Sequence, residues 1–311
     1  MAKPVTTMLV MIAAALFIAA LLRGGEVLTA LAISTTNTSA ATVNITAAVS
    51  TCGEAHCYDA DATDDWIDLV GGDRRLVYCT AVCNDNNGWG NMINYTGTIG
   101  TSGASCTPAD NRNCYQNATC ENTSEVNVTA QSITCSYLFW FNADNTSQNG
   151  DWTGSIVAGE IGGSVSVPAT DTIDVQELLA LGVDAVLSFG AKSAAANDTT
   201  TSVDHNIYNY GNIQMDFQVN GSAMACGVGS IPAEYLKVNL TDNGYYEAGY
   251  PLSATLSGPD SGKFDAFNLD ESTTASGTVV ATSKATHWGI GIPPAVSGNC
   301  EGSIWFAAVE S

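Results

Sequence analysis

Base is what this chain has least of. Nine Lys and Arg stand against 31 Asp and Glu in 311 residues, for a formal net charge of −22. So few cations cannot neutralise a phosphate backbone, which excludes nucleic acid as a partner and leaves anionic lipid headgroups little to hold. Charged residues of either sign make up only 13% of the chain, about half the ~25% usual in globular proteins. The surface must therefore be covered by Thr, Ser, Asn and Gly. Histidine is scarce too, with His56, His205 and His287 the whole supply. No G-x-S-x-G, H-E-x-x-H, Walker A or dinucleotide fingerprint occurs. Asp204 and His205 could supply two members of a triad, but adjacent side chains on a strand point to opposite faces. A blue-copper site needs His and Met close behind a Cys; EGSIWF after Cys300 and GVGSIP after Cys226 offer neither. An extracellular hydrolase is the weakest of the functional classes considered. Amphipathic helical stretches are also nearly absent. Val175 to Leu181 is a short helical candidate that reads equally as a strand leading into Val183 to Phe189.

What the chain does have is apolar residues at 45% and ten cysteines. Eight of these lie between Cys52 and Cys135 (Cys52, Cys57, Cys79, Cys83, Cys106, Cys114, Cys120, Cys135), and Cys226 and Cys300 stand apart. Structural zinc wants closely spaced pairs at two places, whereas the tightest spacings here are CxxxC and CxxxxC. An even count points to disulfides formed in an oxidising compartment, outside the cell. Eight cysteines allow 105 connectivities, and the sequence does not choose among them. A bridge between Cys226 and Cys300 would close a loop worth ~4 kcal/mol on chain-entropy grounds.

The front end agrees with export. Lys3 precedes the uncharged run Met8 to Leu22, and Ala30-Leu31-Ala32 offers an A-x-A cleavage site. Residues 1–32 are thus either a signal peptide or a retained hydrophobic helix, the chain's one route to a membrane. In the second case Ala13, Ala14, Ala15, Ala19 and Ala20 would let copies pack closely. Ten N-x-S/T sequons follow, at Asn37, Asn44, Asn94, Asn117, Asn122, Asn127, Asn145, Asn197, Asn220 and Asn239, candidate acceptors of N-linked glycans on a secreted chain.

Beyond a tether at 33–40, alternation with period two recurs and predicts antiparallel strands with one wet face. Ala41 to Ser50, Leu76 to Cys83 and Val126 to Phe141 all show it, the last placing Ile133, Cys135, Tyr137, Phe139 and Phe141 on one face. In Asn212 to Asn220, Ile213, Met215, Phe217 and Val219 face in while Gln214, Asp216, Gln218 and Asn220 face out. Cysteine density drops after Cys135, and the soft stretch Gly159 to Thr172 divides the chain. The expectation is an all-β protein of two antiparallel sandwiches, cysteine-rich at 41–160 and plainer at 161–311, preceded by the N-terminal hydrophobic helix.

Cys79 in LVYCTAVC, Trp89 ten residues on and Cys135 in ITCSYLFWF resemble the Cys…Trp…Cys frame of immunoglobulin-like sandwiches. Ile133 stands where a tyrosine corner would put Tyr, so the likeness is to an Ig-like or cadherin-like sandwich. With VYCTAVCNDNNGW, IYNYGNIQMDFQV and HWGIGIPPAVSGNCEGSIWF, the chain also resembles the tandem β-sandwich surface proteins that archaea secrete. That resemblance implies a role in surface layers, adhesion or filaments.

Three kinds of site remain. Asp59, Asp61, Asp64 and Asp65, with Asp85 in a following turn, crowd carboxylates that repel unless a cation lies between them; they read as a calcium site or as a solvated loop. Trp66, Trp89, Trp140, Trp152, Trp288 and Trp305 could stack on cell-surface glycans, or pack in cores. Last come the two ends. Ala41, Val43, Ile45, Ala47 and Val49 share one apolar face, and Ile304 to Val309, with Ile304, Trp305 and Phe306, is apolar on both faces. Such an edge invites a strand from another copy, and repeated head to tail that contact builds a filament. Alternatively each segment is an ordinary strand of its own domain. A self-assembling extracellular structural protein is the leading expectation; an adhesin or glycan-binding module is the runner-up.

Overall fold

Alternating apolar residues and almost no amphipathic helical stretch give a chain that is nearly all β, in several antiparallel sheets. The computed structural model describes residues 49–61, 66–101, 106, 109–117, 119–196, 202–242, 249–253, 264 and 266–311. The N-terminal hydrophobic segment, the tether and positions 41, 43, 45 and 47 lie outside the described residues. Val49 is exposed. Among the described residues no helix is long and apolar enough to cross a membrane.

Ten strands surround a first core: β1 (Thr51–Cys52), β2 (His56–Asp59), β3 (Trp66–Ile67), β4 (Arg74–Asn84), β5 (Met92–Thr101), β6 (Cys114–Asn117), β7 (Glu121–Asn127), β8 (Ala130–Trp140), β9 (Trp152–Glu160) and β10 (Ala169–Val175). One sheet runs β1-β4-β8-β7, with β2 sharing an edge of β4 with β1; the facing sheet runs β3-β10-β9-β5-β6. Among the described strands β3 and β10 pair in parallel, and Thr51 of β1 makes an isolated parallel bridge to Val167. The alternation in β8 is real: Ile133, Cys135, Tyr137 and Phe139 are buried, and Phe141 follows them. The expected strand from Val126 is instead broken at Val128-Thr129, where the chain turns back and leaves β7 exposed along its whole length.

All ten cysteines are bonded: Cys52–Cys83, Cys57–Cys79, Cys106–Cys114, Cys120–Cys135 and Cys226–Cys300. The Cys79…Cys135 frame suggested by the immunoglobulin resemblance is therefore overturned. Those two residues sit directly opposite each other on β4 and β8, in one sheet rather than across two. Cys79 bonds outward to Cys57, its partner in the β2–β4 register, and Cys135 bonds to Cys120. A row of four buried cysteines thus crosses the sheet at right angles to its strands. Intact mass with and without reductant should differ by ten hydrogens, one per cysteine; two thiols alkylated under native conditions would contradict these pairings.

The facing sheet makes room for the sulfurs with glycine. Gly154 on β9 lies under Cys57 and Cys79, and Gly97 on β5 lies under Cys135 and the Tyr137 hydroxyl. Each glycine has an isoleucine opposite it on the neighbouring strand, Ile99 beside Gly154 and Ile156 beside Gly97. Burial raises the Tyr137 phenol well above its ordinary pKa.

The second core is built from β11 (Leu181–Val183), β12 (Val203–Asn209), β13 (Met215–Gly221), β14 (Met224–Val228), β15 (Ser230–Ile231), β16 (Leu236–Asn239), β17 (Tyr250–Pro251), β18 (Thr282–Ile290), β19 (Ser297–Glu301) and β20 (Ile304–Glu310). No helix forms at 175–181, and the strand foreseen to Phe189 ends at Val183. One sheet runs β11-β12-β18-β16-β17. Opposite it, among the described residues, β13 with β20 and β14 with β19 form a layer two long strands wide, to which β15 adds a short piece. In β13, Met215, Phe217 and Val219 point inward. Asp216, expected to face water, is buried, because residues 267–269 fold over that side and Asn268 N donates to its carboxylate at 2.7 Å.

Both cores lie within one compact unit, Ala48–Ser311, and two fully buried asparagines join them. Asn142 Nδ2 donates to Ser272 O and Thr274 O at 2.9 and 3.1 Å. Asn212 answers from the other side: its Nδ2 donates to Ala143 O and Gln176 O, and its Oδ1 accepts from Leu178 N. Arg112 adds an ion pair to Asp144 and a longer one to Glu271.

Candidate functional site

Where each sheet ends is the informative part of this molecule. Unpaired strand edges are normally blunted by charge, brevity or cover. The β7 edge of the first sandwich is polar and carries the sequons of Asn122 and Asn127, both exposed. The outer edge of β19 and β20 is different. β20 pairs with β13 on one side, from Ile304↔Gly221 to Glu310↔Met215, and no described strand pairs with its other side. Not one residue of β20 is fully buried. Its inner face presents Ile304, Phe306 and Ala308; its outer face presents Trp305, Ala307 and Val309, with Trp305 52% exposed. The strand is apolar on both faces, as its sequence indicated, and it is not the buried last strand of its domain. No sequon lies beyond Asn239, so this edge is free of glycan acceptors.

Beside the edge runs a groove in two adjoining parts of about 520 and 750 Å³ that share lining residues. β19 and the start of β20 form one wall, and residues 183–194 form the other. Met224, Leu187, Phe189 and Cys300 line both parts. The two cores differ in how well they are covered. Among the described residues, Cys52, Trp89, Trp140 and Leu178 are the partly covered apolar members of the first core; in the second, half of the apolar members are partly covered, among them Leu187, Phe189, Met224, Ile292, Ile304 and Phe306. His205 faces this groove, buried and stacked on Phe306 with ring centroids 5.5 Å apart. Asp204, its neighbour in sequence, points to the opposite face and meets His287 Nδ1 at 2.8 Å.

The acidic residues assemble otherwise than their spacing implied. Asp59, Asp61 and Asp68 bring carboxylate oxygens within 4.8 Å of one another, and Asp64 and Asp65 lie outside the described residues. The charge between them is a side chain: Arg75 reaches Asp59 at 2.7 Å and Asp61 at 2.5 Å. Burial alone would lower the guanidinium's pKa, but the hydrogen bonds and charges of Asp59 and Asp61 outweigh it and hold the value above the ordinary one. Asp85 belongs to a separate turn, accepting from Asn87 N at 2.7 Å. Eight residues of β4 and its end, ~26 Å of extended chain, separate it from the position paired with Asp59. Arg75→Gln should destabilise the protein by ~3 kcal/mol, because it leaves the buried Asp59 without its counter-charge; wild-type melting should not shift in excess chelator. A chelator-sensitive wild type would restore the metal reading.

Among the sequons, Asn94, Asn122 and Asn127 are exposed, and Asn117, Asn220 and Asn239 are half-buried. Asn37, Asn44 and Asn197 lie outside the described residues. Asn145 is fully buried and caps α1 (Thr146–Asn149), accepting from Gln148 N, which leaves no path for a glycan. Trp152 and Trp288 are core residues, Trp89 and Trp140 pack against the first core, and Trp66 and Trp305 are exposed on different sandwiches.

No protein-family model matches the sequence, and no curated protein matches it. Solved structures similar to it include a chaperone–tip adhesin complex of CFA/I fimbriae (8% identity, 85% of this chain and 84% of that one, TM-score 0.28). Another is the C-terminal domain of the AgI/II polypeptide BspA from Streptococcus agalactiae (10% identity, 84% and 96%, TM-score 0.22). A third is the chitinase ChiA74 from Bacillus thuringiensis (15% identity, 76% and 28%, TM-score 0.17). Scores this low establish no common fold, and the function has to be argued from the chain's own edges and cores.

Proposed function

We propose that this protein is a non-enzymatic structural subunit of an extracellular filament or surface layer, held together by contacts between copies. One observation carries the reading: the β19–β20 edge is unpaired among the described residues and free of sequons, its β20 half is apolar on both faces, and it runs beside a groove over a half-covered core. Exposed edges of this kind are aggregation hazards unless something completes them. The five disulfides fit an oxidising exterior, and the scarcity of Lys and Arg fits a surface exposed to solvent rather than to phosphate.

Trp305→Lys combined with Phe306→Lys should abolish ordered assemblies in electron microscopy and leave a monomer in light scattering; Trp305→Lys alone, on the exposed outer face, should weaken assembly without lowering the melting temperature. A wild-type protein that stays monomeric at high concentration, N-terminal segment in its native state, would refute the proposal.

A further inference from the structure

We infer that the β19–β20 groove receives residues 41–49 of a second copy of this chain, laid as an added strand along the free edge. The inference rests on the subunit reading above and names its contact.

Four observations select this occupant. The first is shape. The groove lies between a strand edge with free backbone groups and a segment, 184–196, that forms no strand; among the described residues that segment has backbone bonds only near its ends, from Asp184 N to Asn206 O and from Ile292 N to Ala196 O. An extended chain can pair with that edge as a ladder, whereas a helix, its backbone groups already bonded within itself, cannot. The second is pattern. Ala41, Val43, Ile45, Ala47 and Val49 alternate with Thr42, Asn44, Thr46 and Ala48, so one face can enter the groove while the other, which bears the Asn44 sequon, stays in water. The third is length. Nine extended residues span ~30 Å, close to the ~33 Å from Ser297 to Phe306, the stretch of β19 and β20 that lines the groove. The fourth is charge. On a chain of net charge −22, no Asp, Glu, Lys, Arg or His occurs between Glu26 and Glu54. A second copy can bring that segment close without electrostatic repulsion, and the groove, whose mixed lining includes Asp184 and Glu301 beside Leu187, Phe189 and Met224, accepts it without burying an unpaired ion of the incoming strand.

The test uses the full chain. A photo-crosslinking residue is placed at position 45, and natural-abundance and nitrogen-15-labelled copies are mixed, allowed to assemble, irradiated and mapped by mass spectrometry. Crosslinks from position 45 to residues 297–306 of the oppositely labelled copy are expected. Crosslinks confined to the same copy would mean that the chain fills its own groove, and would overturn the inference. In parallel, Ile45→Asp should weaken assembly roughly 100-fold, as expected for burying a carboxylate in a groove that already holds Asp184 and Glu301, without shifting the melting of the folded sandwiches. Thr46→Asp adds the same charge to the wet face and should assemble normally. If both variants assemble like wild type, the occupant is wrong while the subunit reading stands; if wild type never assembles, that reading fails with it.

Discussion

Gly154→Ala should cost the protein at least ~3 kcal/mol, the upper end of what overpacking usually does, and lower the melting temperature by about 10 °C. A β-carbon at this position would lie 2.7 Å from Cys79 Sγ and closer still to Cys57 Sγ. Neither sulfur can retreat. The bridge is buried and anchored at both ends in paired strands, at Cys57 on β2 and Cys79 on β4. The neighbouring space is already filled by Ile99 on the strand beside Gly154. The methyl must therefore push the two sheets apart or displace β9. Calorimetry of the single variant tests the magnitude, and a double-mutant cycle tests the cause. In a Cys57→Ala, Cys79→Ala background the space left by the sulfurs should accept the methyl, and the penalty should fall close to zero. An equal penalty in both backgrounds would mean that Gly154 is needed for its backbone rather than for the bridge above it.

The second large effect is expected at the junction. Asn212→Leu keeps the volume but removes three hydrogen bonds, to Ala143 O at 2.9 Å, to Gln176 O at 3.1 Å and from Leu178 N at 2.6 Å. Buried backbone groups left without partners cost about 1–3 kcal/mol each, so a loss of ~4 kcal/mol is a moderate figure. Because Asn212 precedes β13 of the second core while Ala143, Gln176 and Leu178 belong to the first, the loss should also uncouple the cores. Wild type is expected to melt in one transition. The variant should melt in two, with Trp152 and Trp288 each reporting on its own core. A single transition at the wild-type temperature would show that Asn142 and Arg112 hold the junction without Asn212.

Much of the fold was legible because burial imposes period two on strands. The inward set Ile133, Cys135, Tyr137, Phe139 and Phe141 and the inward set of β13 could be read directly. Disulfide pairing could not, because it depends on which strands become neighbours. Cys57 meets Cys79 and Cys226 meets Cys300 only once the register is known. Arg75 was hidden for the same reason. It lies 14 residues beyond Asp61 in sequence, and the pairing of β2 with β4 brings it back beside the acidic turn. Asn145 did carry a signal that its sequon masked: Asn145-Thr146-Ser147-Gln148 has the cap residue and the glutamine three places on that mark a helix start. The apolar end of β20 was readable from IWFAAV, but its unpaired side is a property of topology. Burial cannot be counted strand by strand until the opposite layer is known to be two strands wide.

The positions of the bridges also decide how this chain behaves under tension. Pulled between Thr51 and Ser311, the force crosses from Cys52 to Cys83, from Cys106 to Cys114, from Cys120 to Cys135 and from Cys226 to Cys300 through sulfur rather than backbone. Roughly half of that length is thereby withheld from extension, the Cys226–Cys300 loop alone spanning 74 residues. At ~3.4 Å per extended residue, that loop keeps some 250 Å of slack out of reach. A fibre made of such units would yield in short steps and recoil, and reductant would lengthen every step.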